Sequence, residues 1–215
     1  MGKYTPKLPK AVIEFEVRDK NGKLIEKGKF PAKSWVGNII GLISAIVSTW
    51  LTMGSFYATG MTRADLTDVS GTARGFSIGS GTTGGGGVVG GCAPAGDATA
   101  GIVVGSSDAP VSLSQYSLGA LIPHGTNPGQ LQYCATFVET LSKGTAWLFR
   151  IVRTFTNGSG ASVTVREIGL YVRFGMSSSP YYYSCMLARD VPTSPIIVPD
   201  GSTLTVRYII SHSLS

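Results

Sequence analysis

Residues 145–174 read TAWLFRIVRTFTNGSGASVTVREIGLYVRF, and this stretch carries the strongest structural pattern in the sequence. Large apolar residues recur at every second position of its first half, which is the period of a β-strand with one buried face. The segment 157–160, Asn-Gly-Ser-Gly, supplies an asparagine and two glycines of the kind that tight turns require. We therefore predict two strands joined as a hairpin. The predicted core face of the first strand holds Trp147, Phe149, Ile151 and Phe155.

The second half of this stretch breaks its own alternation. Val163 and Val165 share one parity, whereas the apolar residues from Ile168 to Phe174 occupy the other parity. A single extra residue near Arg166 and Glu167 would restore the register, so we predict a β-bulge there.

The flanking sequence supplies further strands. Residues 11–18 and 23–30 alternate and are separated by Asn21-Gly22, which predicts a first hairpin. Residues 202–213 alternate again behind the Asp200-Gly201 turn. Successive strands with short connections predict a mainly β fold. We expect an antiparallel β-sandwich or jelly-roll-like domain at 101–215, preceded by a β-hairpin and one long apolar α-helix.

The predicted helix covers residues 34–54. The sequence has no charged residue from 35 to 62, Ser34 is a candidate N-cap and Gly54 a candidate stop. Small residues recur on one face at steps of three or four, which allows a close approach by another helix or sheet. The apolar length also raises the alternative of a membrane span. The predicted assembly interface consists of Gly37, Gly41, Ala45, Ser48 and Trp50.

Charge is scarce and unevenly distributed. Charged residues are 14% of the 215, a low share that favours a subunit of an assembly over a freely soluble monomer. The N-terminal arm and hairpin, residues 1–33, hold nine Lys or Arg against four Asp or Glu. This arm could contact packaged nucleic acid or an acidic neighbour, but the acidic residues interspersed among its lysines favour a solvated strand edge guarded by lysine. Residues 55–100 form an irregular region, with a Gly-rich loop from 79 that lacks a phosphate-binding signature.

The sequence offers little that resembles catalytic chemistry. Cys92, Cys134 and Cys185 have no metal-ligand spacing, although Cys134 and Cys185 could form a disulfide. His124 and His212 lie outside any nucleophile motif. We predict that the chain is not an enzyme and has no cofactor or metal.

Two further groups of residues have predicted roles, one as a buried ion pair and one as aromatic side chains at a ligand or an interface. Glu167 lies between apolar strand segments, which predicts a buried ion pair with Arg153 or Arg189. The second group could stack on a ligand or fill an interface. It consists of Tyr181, Tyr182 and Tyr183.

Three segments together resemble structural proteins of tailed phages and related viruses. They are GIVVGSSDAPVSLSQYSLGALIPHG, RIVRTFTNGSGASVTVREIGLYV and LARDVPTSPIIVPDGSTLTVRYII, which lie between residues 101 and 211. The resemblance extends weakly to the start of the predicted helix at Ser34. It implies a building block of a tail, baseplate, fibre or shell, with no catalytic residues.

The leading hypothesis from the sequence is a virion structural protein that forms a symmetric homo-oligomer or lattice with other virion proteins. One alternative is a membrane-anchored or cell-surface filament subunit that uses residues 35–53 as its anchor. A further alternative is a carbohydrate-binding receptor module that uses the tyrosine cluster.

Overall fold

The computed structural model describes residues 10–43, 64–76, 89–143, 146–175 and 182–213. These residues form fourteen strands and one helix, whose described part spans 37–43 (α1). The strands pair in antiparallel ladders, which confirms the predicted mainly β class. They are β1 (Lys10–Arg18), β2 (Leu24–Pro31), β3 (Ala64–Thr67), β4 (Ala73–Phe76), β5 (Val89–Gly90), β6 (Gly101–Gly105), β7 (Gln132–Tyr133), β8 (Phe137–Lys143), β9 (Ala146–Thr156), β10 (Val163–Val165), β11 (Glu167–Gly175), β12 (Tyr182–Asp190), β13 (Ile196–Val198) and β14 (Thr203–Ser213).

The larger sheet has the order β2-β1-β14-β9, and β7 and β8 pair one after the other with the far side of β9. β1 pairs with β14 along its whole length. Residues of alternate parity divide the sheet into a buried inner face and a partly exposed outer face. On β1 the inner face holds Ile13, Phe15 and Val17, and the outer face holds Glu14 and Glu16.

The predicted first hairpin is confirmed by the pairing of β1 with β2. Its turn is fixed by Asp19, whose Oδ1 accepts hydrogen bonds from the backbone N–H groups of Asn21 at 2.8 Å and Lys23 at 2.9 Å. Gly22 has φ of +80°, a conformation that glycine adopts without strain. Because β1 also pairs with β14, the described part of the basic arm is joined to a strand that lies 191 positions further along the sequence.

The predicted central hairpin is wrong. β9 pairs with β14, β7 and β8 in the larger sheet, whereas β11 pairs with β12, β5 and β6 in a second sheet. A period of two identifies a strand and its buried face, but it does not identify the strand's partner. The turn at 157–160 leads the chain from the larger sheet towards the second sheet. Its asparagine and glycines suit such a connection as well as a hairpin, so composition alone did not distinguish the two.

The predicted bulge near Arg166 is also wrong. β10 ends at Val165 and pairs with β13, and β11 begins at Glu167 in the second sheet. Between them, the backbone N–H of Arg166 donates to Gly105 O at 2.8 Å. The apolar residues change parity here because the chain changes pairing partners, from β13 for β10 to β6 and β12 for β11. The alternation of one strand does not constrain the alternation of the next.

Asn157 fixes the connection between the sheets. Its side chain is fully buried, and its Nδ2 donates to Val198 O at 2.7 Å and Ala161 O at 2.8 Å. Its Oδ1 accepts the Ser159 backbone N–H and hydroxyl. Its backbone N–H donates to Ser202 O, and its carbonyl accepts from Gly201 N. One amide thus ties the turn after β9 to the turn before β14.

The second sheet has the order β12-β11, with β5 and β6 on the other side of β11. The outer side of β12 is covered by the segment after β2, where Trp35 forms a bridge with Ala188 and the Val36 N–H donates to Leu187 O. One hydrophobic core contains buried residues from both sheets, including Ile13, Tyr208 and Ile168. A smaller cluster joins Leu42 of α1 to β11 and β12.

The helix begins three residues later than predicted. Its first residue is Gly37, because Ser34 instead donates its backbone N–H to Asp190 and accepts from Arg189 N. Asn38 then bonds to Thr67 and Met186, which fixes α1 against β3 and β12. The remaining residues of the predicted helix lie outside the described ranges. No helix in the part of the chain that the structure describes is long and apolar enough to cross a bilayer.

The three cysteines are free thiols, so the disulfide considered for Cys134 and Cys185 is not formed. Burial raises the pKa of Cys185 to about 12, which keeps it protonated near neutral pH. Of the Gly-rich loop, residues from 89 onward are described, and the earlier ones lie outside the described residues.

The Asn157→Ala variant should be destabilised by about 3 kcal/mol, because the buried Val198 carbonyl and the Ala161 carbonyl would lose their donor. Urea unfolding followed by circular dichroism measures this change. The matched control is Asn21→Ala in the other Asn-Gly turn, where the side chain is exposed and the expected loss is about 0.5 kcal/mol or less. Equal effects of the two substitutions would contradict the role of Asn157.

Candidate functional site

A buried ion pair lies where β11 begins and β12 ends. Arg189 Nε is 2.6 Å from Glu167 Oε2, and both side chains have 0% exposure. The strand register sets this geometry, since Gly169 lies opposite Arg189 on β12 and Glu167 lies opposite Gly105 on β6. The pair therefore forms at the point where three strands of the second sheet meet.

The Glu167 carboxylate also binds backbone. It accepts N–H groups from Ala120 at 2.8 Å, Gly119 at 3.0 Å and Ser107 at 3.3 Å. These bonds hold both ends of the segment that follows β6. Gly105 makes room for the carboxylate, because a Cβ at that position would lie 2.3 Å from Glu167 Oε1.

The Arg189 guanidinium holds the middle of the same segment. Its Nη1 donates to Ala109 O at 2.9 Å, to Gln115 Oε1 at 3.3 Å and to Pro110 O at 3.4 Å. Its Nη2 is buried, and no described residue accepts a hydrogen bond from it. Glu167 and Arg189 therefore close residues 106–120 into a loop around one ion pair, which we call the loop clasp.

Asp190, next to Arg189, joins β12 to two other parts of the fold. Its Oδ1 accepts the backbone N–H groups of Lys33 at 3.0 Å and Ser34 at 3.2 Å, and its Oδ2 accepts the Tyr208 hydroxyl at 2.9 Å. Burial, together with the charge of Asp190, raises the pKa of Tyr208 far above its usual value. Asp190 thus connects β12 to β14 and to the segment that leads into α1.

Arg153 is not the partner of Glu167. It is fully buried on β9, and it donates to the carbonyls of Cys134 at 2.8 Å, Ala100 at 2.9 Å and Ile102 at 3.0 Å. Its Nη2 donates to the carbonyls of Pro94 and Asp97. Burial lowers the pKa of Arg153, while the carbonyl dipoles stabilise its charge. The two arginines proposed for one carboxylate therefore organise two separate loops, residues 94–102 and 106–120.

The tyrosine cluster is not a single aromatic surface in the structure. Tyr181 lies outside the described residues, and Tyr182 is 67% exposed. Tyr183 packs on Phe174, and the Arg74 guanidinium lies 4.3 Å from its ring centroid. Tyr182 is therefore the described member of the cluster that is open to a ligand.

Arg74 is itself held by Asp68. Its Nε lies 2.8 Å from Asp68 Oδ2, while Asp68 Oδ1 accepts the N–H groups of Ser70 and Thr72 and the Ser70 hydroxyl. Burial acts to raise the pKa of Asp68, but these hydrogen bonds outweigh it and lower the pKa from 3.8 to about 2. This carboxylate holds the β3–β4 turn and, through Arg74, the face of Tyr183.

The predicted assembly stripe is only partly described. Gly37 is exposed and Gly41 is half-buried, while Ala45, Ser48 and Trp50 lie outside the described residues. The same turn of helix exposes two large apolar side chains, Ile40 at 67% and Ile43 at 49%.

The basic hairpin carries internal ion pairs on its outer face. Lys29 pairs with Glu14 at 2.8 Å, and Glu16 contacts Arg207 at 2.9 Å and Arg18 at 3.2 Å. Much of the described positive charge of this sheet is therefore compensated within the chain.

The importance of Asp190 and Asp68 was missed from sequence. Asp190 could have been found by the reasoning applied to Glu167, since it is an acidic residue at the end of an apolar strand segment. Asp68 had no such signal. Among the described residues, no cluster of three or more His, Cys, Asp or Glu side chains could hold a metal ion.

The Glu167→Gln variant should lose about 3–5 kcal/mol of unfolding free energy, because it leaves the buried Arg189 charge without its counter-charge. Chemical denaturation measures the loss, and limited proteolysis should show faster cleavage within residues 106–120. The matched control is Asp108→Asn, which removes the exposed ion pair with Arg166 and should cost at most about 1 kcal/mol. A loss as small in Glu167→Gln as in this control would contradict the loop clasp.

The lowered pKa of Asp68 predicts a specific pH dependence. The ionised form is favoured in the folded state, so its contribution is complete above the ordinary pKa of 3.8 and is lost as pH falls through about 2. Unfolding free energies of the wild type and Asp68→Asn should therefore differ most above about pH 4 and converge towards about pH 2. A difference that stays constant over this range would count against the assignment.

The site thus consists of buried charges that bind backbone at the junctions of strands and loops. Comparison of the whole chain with protein-family models, curated proteins and solved structures finds no match.

Proposed function

We propose that the chain is a virion structural protein whose antiparallel β-sandwich self-assembles into a symmetric oligomer or lattice. The observation that carries the proposal is the loop clasp. The three segments that resemble phage structural proteins are far apart in sequence, and they contribute residues 106–120, Glu167 and Arg189 to this one cluster. The segments that carry the resemblance therefore contain the residues that organise the fold.

The shared core supports the sandwich. Strand β14 places Leu204, Val206 and Tyr208 in the same hydrophobic cluster as Ile168 and Leu170 of β11, which belongs to the other sheet. Two sheets that bury their inner faces against each other form the layered architecture of a sandwich.

The surface supports assembly. A chain with 14% charged residues exposes several large apolar side chains that a partner would cover. Low charge and exposed apolar area are together typical of a subunit that hides part of its surface in an oligomer. The most exposed of these side chains belong to Leu113, Ile40, Tyr182, Phe137 and Ile197.

The proposed partners are further copies of the chain and other virion proteins, with the virion as the location. The Lys-rich N-terminal arm would face packaged nucleic acid or an acidic neighbour.

The exposure of Tyr182 favours one second candidate, a carbohydrate-binding receptor module, because an exposed aromatic ring can stack on a sugar face.

The proposal predicts that Gly41→Leu weakens assembly. A large side chain on the small-residue face of α1 would overpack a close contact, and we expect the dissociation constant to rise at least about tenfold. Sedimentation velocity and electron microscopy over a range of protein concentrations measure this effect. Circular dichroism should retain the β-strand signal.

The control in the same helix is Ile43→Leu, which exchanges one exposed apolar side chain for another of equal size. Rings, tubes or shells formed by the wild type would support a virion role. A wild type that stays monomeric at every concentration would overturn it, and glycan binding that is lost in Tyr182→Ala would favour the receptor module.

A further inference from the structure

The sequence contains the dipeptide Asn-Gly twice, and the structure places the two copies in different surroundings. An asparagine that precedes glycine is open to an intramolecular reaction, because glycine has no side chain to hinder the approach of its backbone nitrogen to the neighbouring amide. Asn21-Gly22 lies in the exposed turn between β1 and β2, whereas Asn157-Gly158 lies in the connection after β9. The chain therefore holds a candidate reactive site together with an internal comparison.

The reaction joins the backbone nitrogen of the glycine to Cγ of the asparagine. The nitrogen loses its proton and attacks Cγ, a succinimide ring closes, and the side-chain nitrogen leaves as ammonia with that proton. Water then opens the ring. Cleavage between the ring nitrogen and Cγ gives aspartate, and cleavage between the ring nitrogen and the backbone carbonyl carbon gives isoaspartate. Water is the only co-reactant that this sequence of steps requires.

The side chain of Asn21 is free to take part in this reaction. It is exposed, and its atoms have no hydrogen-bond partner among the described residues. A Cβ added at Gly22 would meet no other group within 4 Å, so nothing in the described fold crowds the ring. The turn restrains the attacking nitrogen through one hydrogen bond, from the Gly22 N–H to Asp19 O at 2.9 Å. A single bond in an exposed turn opens at little cost in free energy.

Positive charge in this turn favours removal of the glycine proton. Lys20 and Lys23 flank the dipeptide, and both are exposed. Arg18 also approaches it, with Nη1 donating to the carbonyl of the glycine at 2.9 Å, but Arg18 is shared with Glu16. Asp19 adds one negative charge, so the two lysines carry the excess. Cations nearby stabilise the nitrogen in its deprotonated, attacking form.

The side chain of Asn157 is held in place. It is fully buried, its Nδ2 donates to Val198 O and Ala161 O, and its Oδ1 accepts from the backbone and hydroxyl of Ser159. The nitrogen that would leave is the same Nδ2 that the two carbonyls hold. Attack by the Gly158 nitrogen therefore requires these bonds to open inside the fold, at a cost far above that of an exposed turn.

We propose that Asn21 is a site of spontaneous deamidation in the folded protein and that the fold protects Asn157 from the same reaction. The hydrogen bonds around each dipeptide decide which of the two reacts. This modification site is independent of the proposed assembly.

Deamidation changes the first hairpin. Asp19 Oδ1 orders the turn by accepting the N–H groups of Asn21 and Lys23, and a new carboxylate at position 21 places a second negative charge beside it. The isoaspartate product also puts Cβ into the main chain, which lengthens the turn and disturbs the pairing of β1 with β2. Among the described strands β2 pairs with β1 alone, so β2 is the strand that this change loosens.

Peptide mapping of the folded chain after incubation tests the assignment. Cleavage after glutamate releases residues 17–26 with Asn21 and residues 140–167 with Asn157, so the two sites report separately. At mildly alkaline pH the first site should convert at least about tenfold faster than the second, because the buried site reacts only after it opens. Mass spectrometry measures the conversion, and labelling by an isoaspartyl methyltransferase identifies the isoaspartate.

Two controls separate the effect of the fold from that of the dipeptide. In urea both asparagines are exposed, and the difference between their rates should largely disappear. The variant Asn21→Gln carries a longer side chain that closes a ring slowly. It should keep the circular dichroism of the wild type and leave the peptide of residues 17–26 unmodified.

Each measurement has an outcome that overturns part of the proposal. An Asn21 that reacts in urea but stays unmodified in the folded protein would overturn the site. Equal rates at Asn21 and Asn157 in the folded protein would overturn the protection by the fold. Hydrogen exchange of residues 24–31 should be faster in the isoaspartate form than in freshly purified protein, and unchanged exchange would overturn the effect on the hairpin.

Discussion

The structure depends most directly on the buried ion pair between Glu167 and Arg189. A buried ion pair repays the cost of removing two charges from water only when further hydrogen bonds complete both groups. Here the carboxylate receives three backbone N–H groups, and the guanidinium reaches backbone carbonyls in the same loop. The pair is therefore stable only when residues 106–120 are closed around it. The pairing of β11 with β12 and the closed form of this loop therefore depend on each other.

The same chemistry recurs at Arg153, Asp190 and Asp68. Each buried charge is directed mainly at backbone groups, so a small number of charged side chains fixes several long connections. This explains how a chain with 29 glycines and few charges can hold defined loops. The apolar residues join the sheets, and the charges determine where the chain runs between them. Substituting one of these charges should affect a whole segment and not one contact.

The sequence was informative about local structure and much less about which strands and side chains pair with each other. Alternation identified β1, β9 and β14 as strands, and for β9 it also predicted the face that holds the buried Ile151 and Phe155, because period two is a property of each strand alone. It misplaced β11, because the partner of a strand is decided by residues far away in sequence. Burial of Glu167 was predictable from its apolar neighbours. The choice between Arg153 and Arg189 was not, since it depends on which sheet each arginine joins.

The pairing of β1 with β14 has a consequence for how the chain folds during synthesis. Glu16 and Arg207, which form an ion pair across these strands, are 191 positions apart. The first hairpin therefore leaves the ribosome long before the strand that completes it, and its apolar face stays in water until β14 has been made. Contacts of such long range slow folding and expose intermediates to aggregation. We expect the larger sheet to form only after β14 has been synthesised, and the first hairpin to benefit from chaperones until then.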